Sequence, residues 1–304
     1  MATESYNVLL YYLYTPIEDA GAFVEDQQVL CEGLGLRGRI LVAAEGLNGT
    51  VSGLIADCES YMRSMRGDVR FSEMEFKVDG ATEHAFPKLS VKLRPEVVSL
   101  GLGEEDFIPR EATGAYLEPA EWRAMMERDD VVVLDARNNY EWELGRFAGA
   151  VLPDIDSFRE LPMWVRHHRE ELVGKKILTY CTGGIRCEKF SGFLKREGFE
   201  EVYQLHGGIV NYGKDRTVRG ERFEGKCYVF DERIGVEVNE VDRTVVGHCM
   251  LCGVSCDRYL NCAWPPCNAQ YFCCEACERE ATGYCSPVCH EARIIGYSVR
   301  STEG

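Results

Sequence analysis

The sequence predicts a multidomain α/β protein in three parts: a mixed α+β unit, an open α/β unit around a parallel sheet, and a small cysteine-rich C-terminal region. Three observations carry that prediction. Over the first hundred residues, aromatic and β-branched runs alternate with helix-length stretches; over the second hundred, short and wholly apolar runs take turns with helices; and ten of the 15 cysteines fall between Cys249 and Cys289. A chain of 304 residues suits two or three domains of roughly 100–200 residues, each burying its own core. The formal net charge of −16 argues against holding nucleic acid by charge alone, but leaves room for a local basic groove. No apolar run approaches the roughly 18–20 residues that cross a bilayer. The opening Met-Ala-Thr-Glu-Ser-Tyr has neither the basic flank nor the cleavage site of a signal peptide. A cytoplasmic protein with no membrane partner is expected.

The first unit spans residues 1–98. Tyr6–Tyr14 reads as a buried strand, and a helix follows over about 17–34 with Glu18 and Asp19 at its positive end. Arg39–Ala43 is a second strand, Gly46-Leu47-Asn48-Gly49 reads as a turn, and a third strand starts at Thr50. A helix over about 56–65 and strands near Met74–Val78 and Lys88–Val98 complete a β-α-β-β-α-β order, the ferredoxin-like plan. The last strand alternates: Leu89, Val91 and Leu93 point one way, Lys88, Ser90, Lys92 and Arg94 the other. Its polar side is either a solvated outer face or a cationic strip for phosphates, which makes Lys88, Lys92 and Arg94 candidate RNA contacts.

Residues 99–111 form a Gly/Glu-rich linker, and the second unit spans 112–214. Pro119 suits the first turn of a helix running to about Arg128. Val131–Leu134, Lys176–Tyr180 and Val202–Leu205 are the short apolar runs of a parallel sheet covered on both faces. Ligands of such sheets bind beyond the carboxyl ends of the strands, and Cys181 follows the strand ending at Tyr180. The loop Cys181-Thr182-Gly183-Gly184-Ile185-Arg186 then leads into a helix over about 187–197; Thr182, Gly183, Gly184, Ile185 and Arg186 are the candidates to orient loop and substrate, Arg186 by meeting substrate negative charge. Converging loop amides, the helix N-terminus and Arg186 all favour thiolate over thiol, and the thiolate is the nucleophile. Cys187 is either a resolving thiol or core packing. Lys189 offers a phosphate contact or is an exposed helix lysine.

Residues 215–247 connect this unit to the tail and include a strand at Cys227–Phe230. Within the tail, residues 248–304, the ten thiols exceed the eight that two tetrahedral zinc sites need. A segment this short gains folding energy from metal, so two structural zinc ions are expected. Paired C-x-x-C units assign Cys249, Cys252, Cys274 and Cys277 to one site; Cys262, Cys267, Cys285 and Cys289 are the candidates for the other.

The motifs carry two family resemblances. Asp135-Ala-Arg137, Tyr140-Glu141, Gly145-Arg-Phe-Ala-Gly149-Ala150, Cys181-x-x-Gly-x-Arg186 and Leu205-x-Gly207-Gly208 resemble, in order, the motifs of a rhodanese domain over about 112–214. That resemblance implies a cysteine able to carry sulfur as a persulfide, here Cys181, with Asp135 and Arg137 bracing the fold. Four residues separate Cys181 from Arg186; related phosphatases have a longer loop, so phosphatase activity is not expected. Nearly the whole chain is similar to the bacterial rhodanese-containing tRNA uridine 5-hydroxylases, through Gly38-Arg-Ile-Leu-Val-Ala-x-Glu45-Gly-x-Asn48-Gly49-Thr-Val-Ser-Gly53, Cys181–Lys189, Gly225-Lys-Cys227-Tyr-Val-Phe-Asp231-x-Arg233 and the tail. It implies an acylphosphatase-like N-terminal domain, a central rhodanese domain, and hydroxylation of the wobble uridine in a tRNA anticodon loop with molecular oxygen as co-substrate.

The residues themselves show a reactive sulfur and no conventional oxygen-activating centre. None of the six histidines has facial-triad spacing, and no Gly-rich dinucleotide fingerprint implies flavin or nicotinamide. Cys181 has two routes: addition to C6 of uracil, which makes C5 nucleophilic, or cycling through an oxidised or persulfide form. The competing functions are a sulfurtransferase and a non-catalytic RNA- or protein-binding adaptor.

Overall fold

A computed structural model describes residues 5–109 and 112–294. The extreme ends of the first unit and of the tail, and two positions of the linker, lie outside the described residues. The first unit contains β1 (Tyr6–Tyr14), α1 (Ala20–Gly33), β2 (Arg37–Ala43), β3 (Gly46–Leu54), α2 (Ile55–Gly67), β4 (Phe76–Ala81) and β5 (Leu89–Leu93). Its sheet runs β4-β1-β3-β2-β5. The first four strands are antiparallel neighbours in the ferredoxin-like order, and β5 adds a parallel edge beside β2. Leu9, Tyr11, Ile40, Val42, Leu47 and Val51 fill the core with Phe23, Cys31, Tyr61 and Met65 of the two helices. The intervening residues of the same strands, among them Leu10, Tyr12, Arg39 and Leu41, turn to the opposite face, as the two-residue repeat of a strand requires.

Three expectations need correction. Gly46–Gly49 is not a turn but the start of β3, and the chain reverses at Ala44–Glu45. The glycines mark close approach inside a strand: a Cβ on Gly46 would lie 2.2 Å from the Leu13 carbonyl oxygen, and one on Gly49 would lie 2.4 Å from the Tyr11 ring. Helix α1 begins at Ala20 because the Asp19 carboxylate accepts from the Ala22 amide at 2.9 Å and caps it. Strand β5 stops at Leu93, short of Val98, because Pro95 has no N–H for the ladder.

The second unit comprises β6 (Ala115–Leu117), α3 (Pro119–Met125), β7 (Val131–Asp135), α4 (Asn139–Trp142), β8 (Gly145–Phe147), α5 (Leu161–His167), α6 (Arg169–Leu172), β9 (Lys176–Tyr180), α7 (Ile185–Arg196), β10 (Val202–Leu205) and α8 (Gly208–Lys214). Strands β6-β10-β9-β7 form a wholly parallel sheet with cores on both faces. The linker is anchored rather than free: Leu100 and Phe107 are buried in one of those cores. Asp135 and Arg137, both sealed from solvent, pair at 2.7 Å, and the Tyr180 hydroxyl donates to the same carboxylate at 2.5 Å.

In the connecting segment, β11 (Phe223–Tyr228) pairs with β8 and β12 (Gly235–Glu237). The strand expected at Cys227–Phe230 is thus shifted toward the N-terminus, and Phe230 leaves the ladder. The tail holds the hairpin β13 (Tyr259–Asn261) and β14 (Gln270–Phe272), then α9 (Glu275–Ala281) and α10 (Pro287–Ile294). Its small core is built largely of cysteines with Tyr271 and Tyr284. Among the described residues no helix is long and apolar enough to cross a membrane.

Candidate active site

Strand β9 delivers the chain to Cys181 at the carboxyl end of the parallel sheet, and α7 begins four residues later. Gly184 turns the loop at φ +104°, a conformation that costs glycine little. Its amide then points inward and donates to Sγ of Cys181 at 3.1 Å. From behind, the amides of Ile209 and Val210 hold the carbonyls of Cys181 and Thr182 at 3.0 and 3.1 Å. Burial by itself opposes ionisation of Cys181. The Cys187 thiol, the Arg186 charge and the amides of Cys187 and Gly184 outweigh it and bring the group down to about 5. Cys181 is therefore a thiolate at neutral pH. Burial and the neighbouring thiolate push Cys187 the other way, so it stays protonated and serves as a donor. Its sulfur lies 3.8 Å from Thr179 Oγ1.

Arg186 is held by Glu141. Its Nη1 and Nη2 donate to the two carboxylate oxygens at 2.5 and 2.7 Å, and Nη2 also approaches Thr182 Oγ1 at 3.4 Å. Glu141 is completely buried. Two guanidinium nitrogens are thus tied to Glu141 inside the protein, while the group lines the cavity and its charge acts on Cys181. A fork of this kind fixes orientation as well as charge.

The Cys181 residue is only 1% exposed, yet it is not sealed in hydrocarbon. It lies on a cavity of about 380 Å³ shared by both units, a volume within the usual range for small-molecule pockets. The first unit contributes Tyr12, Arg39, Leu41, Thr50 and Arg94 from the sheet face away from its helices. The second contributes Tyr140, Phe158, Cys181 and Arg186, and Phe230 closes one side from the connecting segment. Phe230 remains 47% exposed, with the Arg186 guanidinium 5.9 Å from its ring centre.

The two units are locked together beside this cavity. Gly183 abuts Leu10, and Gly184 abuts the Tyr12 hydroxyl, which itself donates to Glu188 at 3.1 Å. Lys189 is a correction to expectation: its side chain is fully buried, and it contacts Glu45 and Glu96 at 3.2 Å and Asp106 at 3.1 Å. It is neither an exposed helix lysine nor available to a phosphate. Helical periodicity gave no sign of the three carboxylates, which come from the first unit and the linker.

Lys88, Lys92 and Arg94 are exposed, and only Arg94 reaches the cavity wall. Site residues that sequence reasoning missed are Arg39, Glu141 and Phe230. Each sits inside one of the family motifs, which was the only signal for it. In the tail the structure brings together two groups of four sulfurs, Cys249, Cys252, Cys274 and Cys277, and Cys262, Cys267, Cys285 and Cys289, every group within 4.8 Å. Separations of 3.8 Å for Cys252–Cys274 and 3.7 Å for Cys267–Cys285 match the roughly 3.8 Å edge of a tetrahedron with 2.3 Å metal–sulfur bonds. Both groups therefore fit a tetrahedral thiophilic metal.

Three family models match the chain: a UPF0176 acylphosphatase like domain over residues 6–97, a Rhodanese-like domain over 118–215 and a Rhodanase C-terminal region over 224–290. A Bacillus licheniformis protein named tRNA uridine(34) hydroxylase is 55% identical over 289 residues, covering 95% of this chain and 88% of its own. An Enterococcus faecalis protein of the same name is 55% identical over 286 residues, covering 94% and 90%.

Proposed function

The chain belongs to the tRNA uridine(34) hydroxylase family, and from that membership we propose that the Cys181 cavity takes up the wobble uridine of an anticodon loop and is where its C5 is hydroxylated with molecular oxygen. The chain is a tRNA-modifying oxidoreductase; the sulfurtransferase and adaptor readings give way to it. One observation carries the assignment to this cavity: an ionised, amide-cradled sulfur lies on a pocket that both units are needed to build.

Thiolate addition to C6 of uracil breaks the C5–C6 double bond and leaves electron density on C5. Attack by C5 on dioxygen and protonation give a C5 hydroperoxide, the external reductant cleaves its O–O bond to release water, and loss of the C5 proton with expulsion of the sulfur returns a 5-hydroxyuracil. The overall balance inserts one atom of O2 into C5–H, while the other leaves as water on two electrons and two protons from an external reductant. Cys187 keeps the sulfur ionised as a hydrogen-bond donor, and its adjacency equally suits it to resolve an oxidised Cys181. Phe230 and Tyr140 offer aromatic faces for the unstacked base, which an anticodon loop yields at little cost. The enzyme works in the cytoplasm, with its tRNA.

Incubating the protein and unmodified tRNA under ¹⁸O₂ with a reductant is expected to give 5-hydroxyuridine carrying one ¹⁸O by nucleoside mass spectrometry. Label arriving from water instead, or thiolated uridine as the product, would refute the reading. For the tail we propose that the two four-cysteine groups hold structural zinc, which supplies the cohesion that so small a core lacks. Metal analysis after mild purification should find about two zinc ions per chain; fewer than one per two chains would contradict it.

A further inference from the structure

We infer that the exposed face of β2 and β5 is the track for the single-stranded RNA flanking the target uridine, one cation to each successive phosphate. The inference rests on the reading of the cavity as the uridine site and extends it outward. Arg37 and Arg39 of β2 share a face with Lys88, Lys92 and Arg94 along β5: the parallel register sets Arg39 beside Ser90 and Leu41 beside Lys92, and paired residues of neighbouring strands point the same way. All five cations are exposed. None is in an ion pair among the described residues, and the Arg94 side chain donates only to the carbonyl of Leu93. Unpaired positive charge gathered on one face stands out on a chain of net charge −16.

The row meets the cavity at two points. Arg39 and Arg94 line the same cavity as Cys181, so a base inserted there leaves its own phosphates at these two side chains. From that point the track leads onto β5, which is the edge of the sheet, with no strand beyond it. Alternate residues on a strand face repeat every ~6.6 Å, a step comparable with the advance of one nucleotide along an extended single strand. Glu45 and Glu96, the carboxylates beside the cavity end of the row, are bonded to Lys189.

The test is binding rather than turnover. A stem-loop RNA with a uridine-containing loop is titrated with the wild-type protein and with the double variant Arg37→Gln/Lys92→Gln, two cations outside the cavity wall, between about 50 and 200 mM salt. The plot of log affinity against log salt should become shallower by about 1.4, or ~0.7 for each single-strand phosphate that is no longer neutralised. A blunt duplex of the same stem should show no difference between the two proteins. An unchanged slope on the stem-loop, or an equal change on the duplex, overturns the inference; matched thermal melting curves exclude a folding defect. The readout does not involve Cys181, so it fails or succeeds independently of the proposed chemistry.

Discussion

Replacing Cys181 by Ser is expected to lower 5-hydroxyuridine formation by about 10³-fold or more, the order lost when an enzyme's nucleophile is removed. The substitution leaves the loop amides, the Arg186–Glu141 fork and the cavity walls in place, so tRNA binding should be nearly unchanged. What it removes is ionisation. The cradle that brings a thiol down to about 5 starts from a group that ordinarily ionises near about 8.5, whereas a serine hydroxyl starts far higher and stays neutral. Alkylation of the wild-type protein is the companion measurement. Because the depressed group is already charged at neutral pH, the rate at Cys181 should be flat from about pH 6.5 to 8 and fall by half near pH 5. A midpoint near that of a free thiol would mean that burial wins over the donors. Full modification by the Cys181→Ser variant would remove sulfur chemistry at this loop from the mechanism.

Lys189→Met should be the most destabilising single change at the junction of the two units, costing about 3–5 kcal/mol as expected when one partner of a buried ion pair is removed. The lysine side chain is fully buried, and its carboxylate partners Glu45, Glu96 and Asp106 retain 12%, 20% and 33% exposure, which favours the lower end of that range. Those three carboxylates would be left facing one another without a counter-charge. Glu45 also accepts from the Val97 amide at 2.9 Å, so the disturbance should spread toward Val97 and Val98 on the cavity wall. Urea unfolding of the variant should show a lower midpoint, together with a raised KM for tRNA. A shift below about 0.5 kcal/mol, the size of an ordinary surface substitution, would mean that water already screens the site.

Cys181 was legible in the sequence and the surroundings of Lys189 were not. The Cys181 loop is one contiguous stretch between a strand and a helix, so its glycines, its arginine and its leading cysteine declare their geometry locally. The tail is partly so: paired C-x-x-C spacing picked out Cys249, Cys252, Cys274 and Cys277, whereas the grouping of Cys262, Cys267, Cys285 and Cys289 has no such local signature, and the structure brings the sulfurs of each four together. Gly46–Gly49 shows where local chemistry misleads. Glycine signals an unusual backbone demand, but whether that demand is a reversal or a close neighbour depends on what packs against it, here Leu13 and Tyr11.

By itself, then, the sequence determined the order of the three parts, the thiolate-forming loop and the thiol groups suited to metal, because each is encoded in residues near one another along the chain. Only the tertiary structure decided that Arg39 and Arg94 would share a cavity with Cys181, that Phe230 would wall it, that Glu141 would hold Arg186 and that Lys189 would be buried among carboxylates. Each of those facts arises where separately folded surfaces meet, and the periodicity of a strand or helix tells which residues share a face but not which other face will cover it.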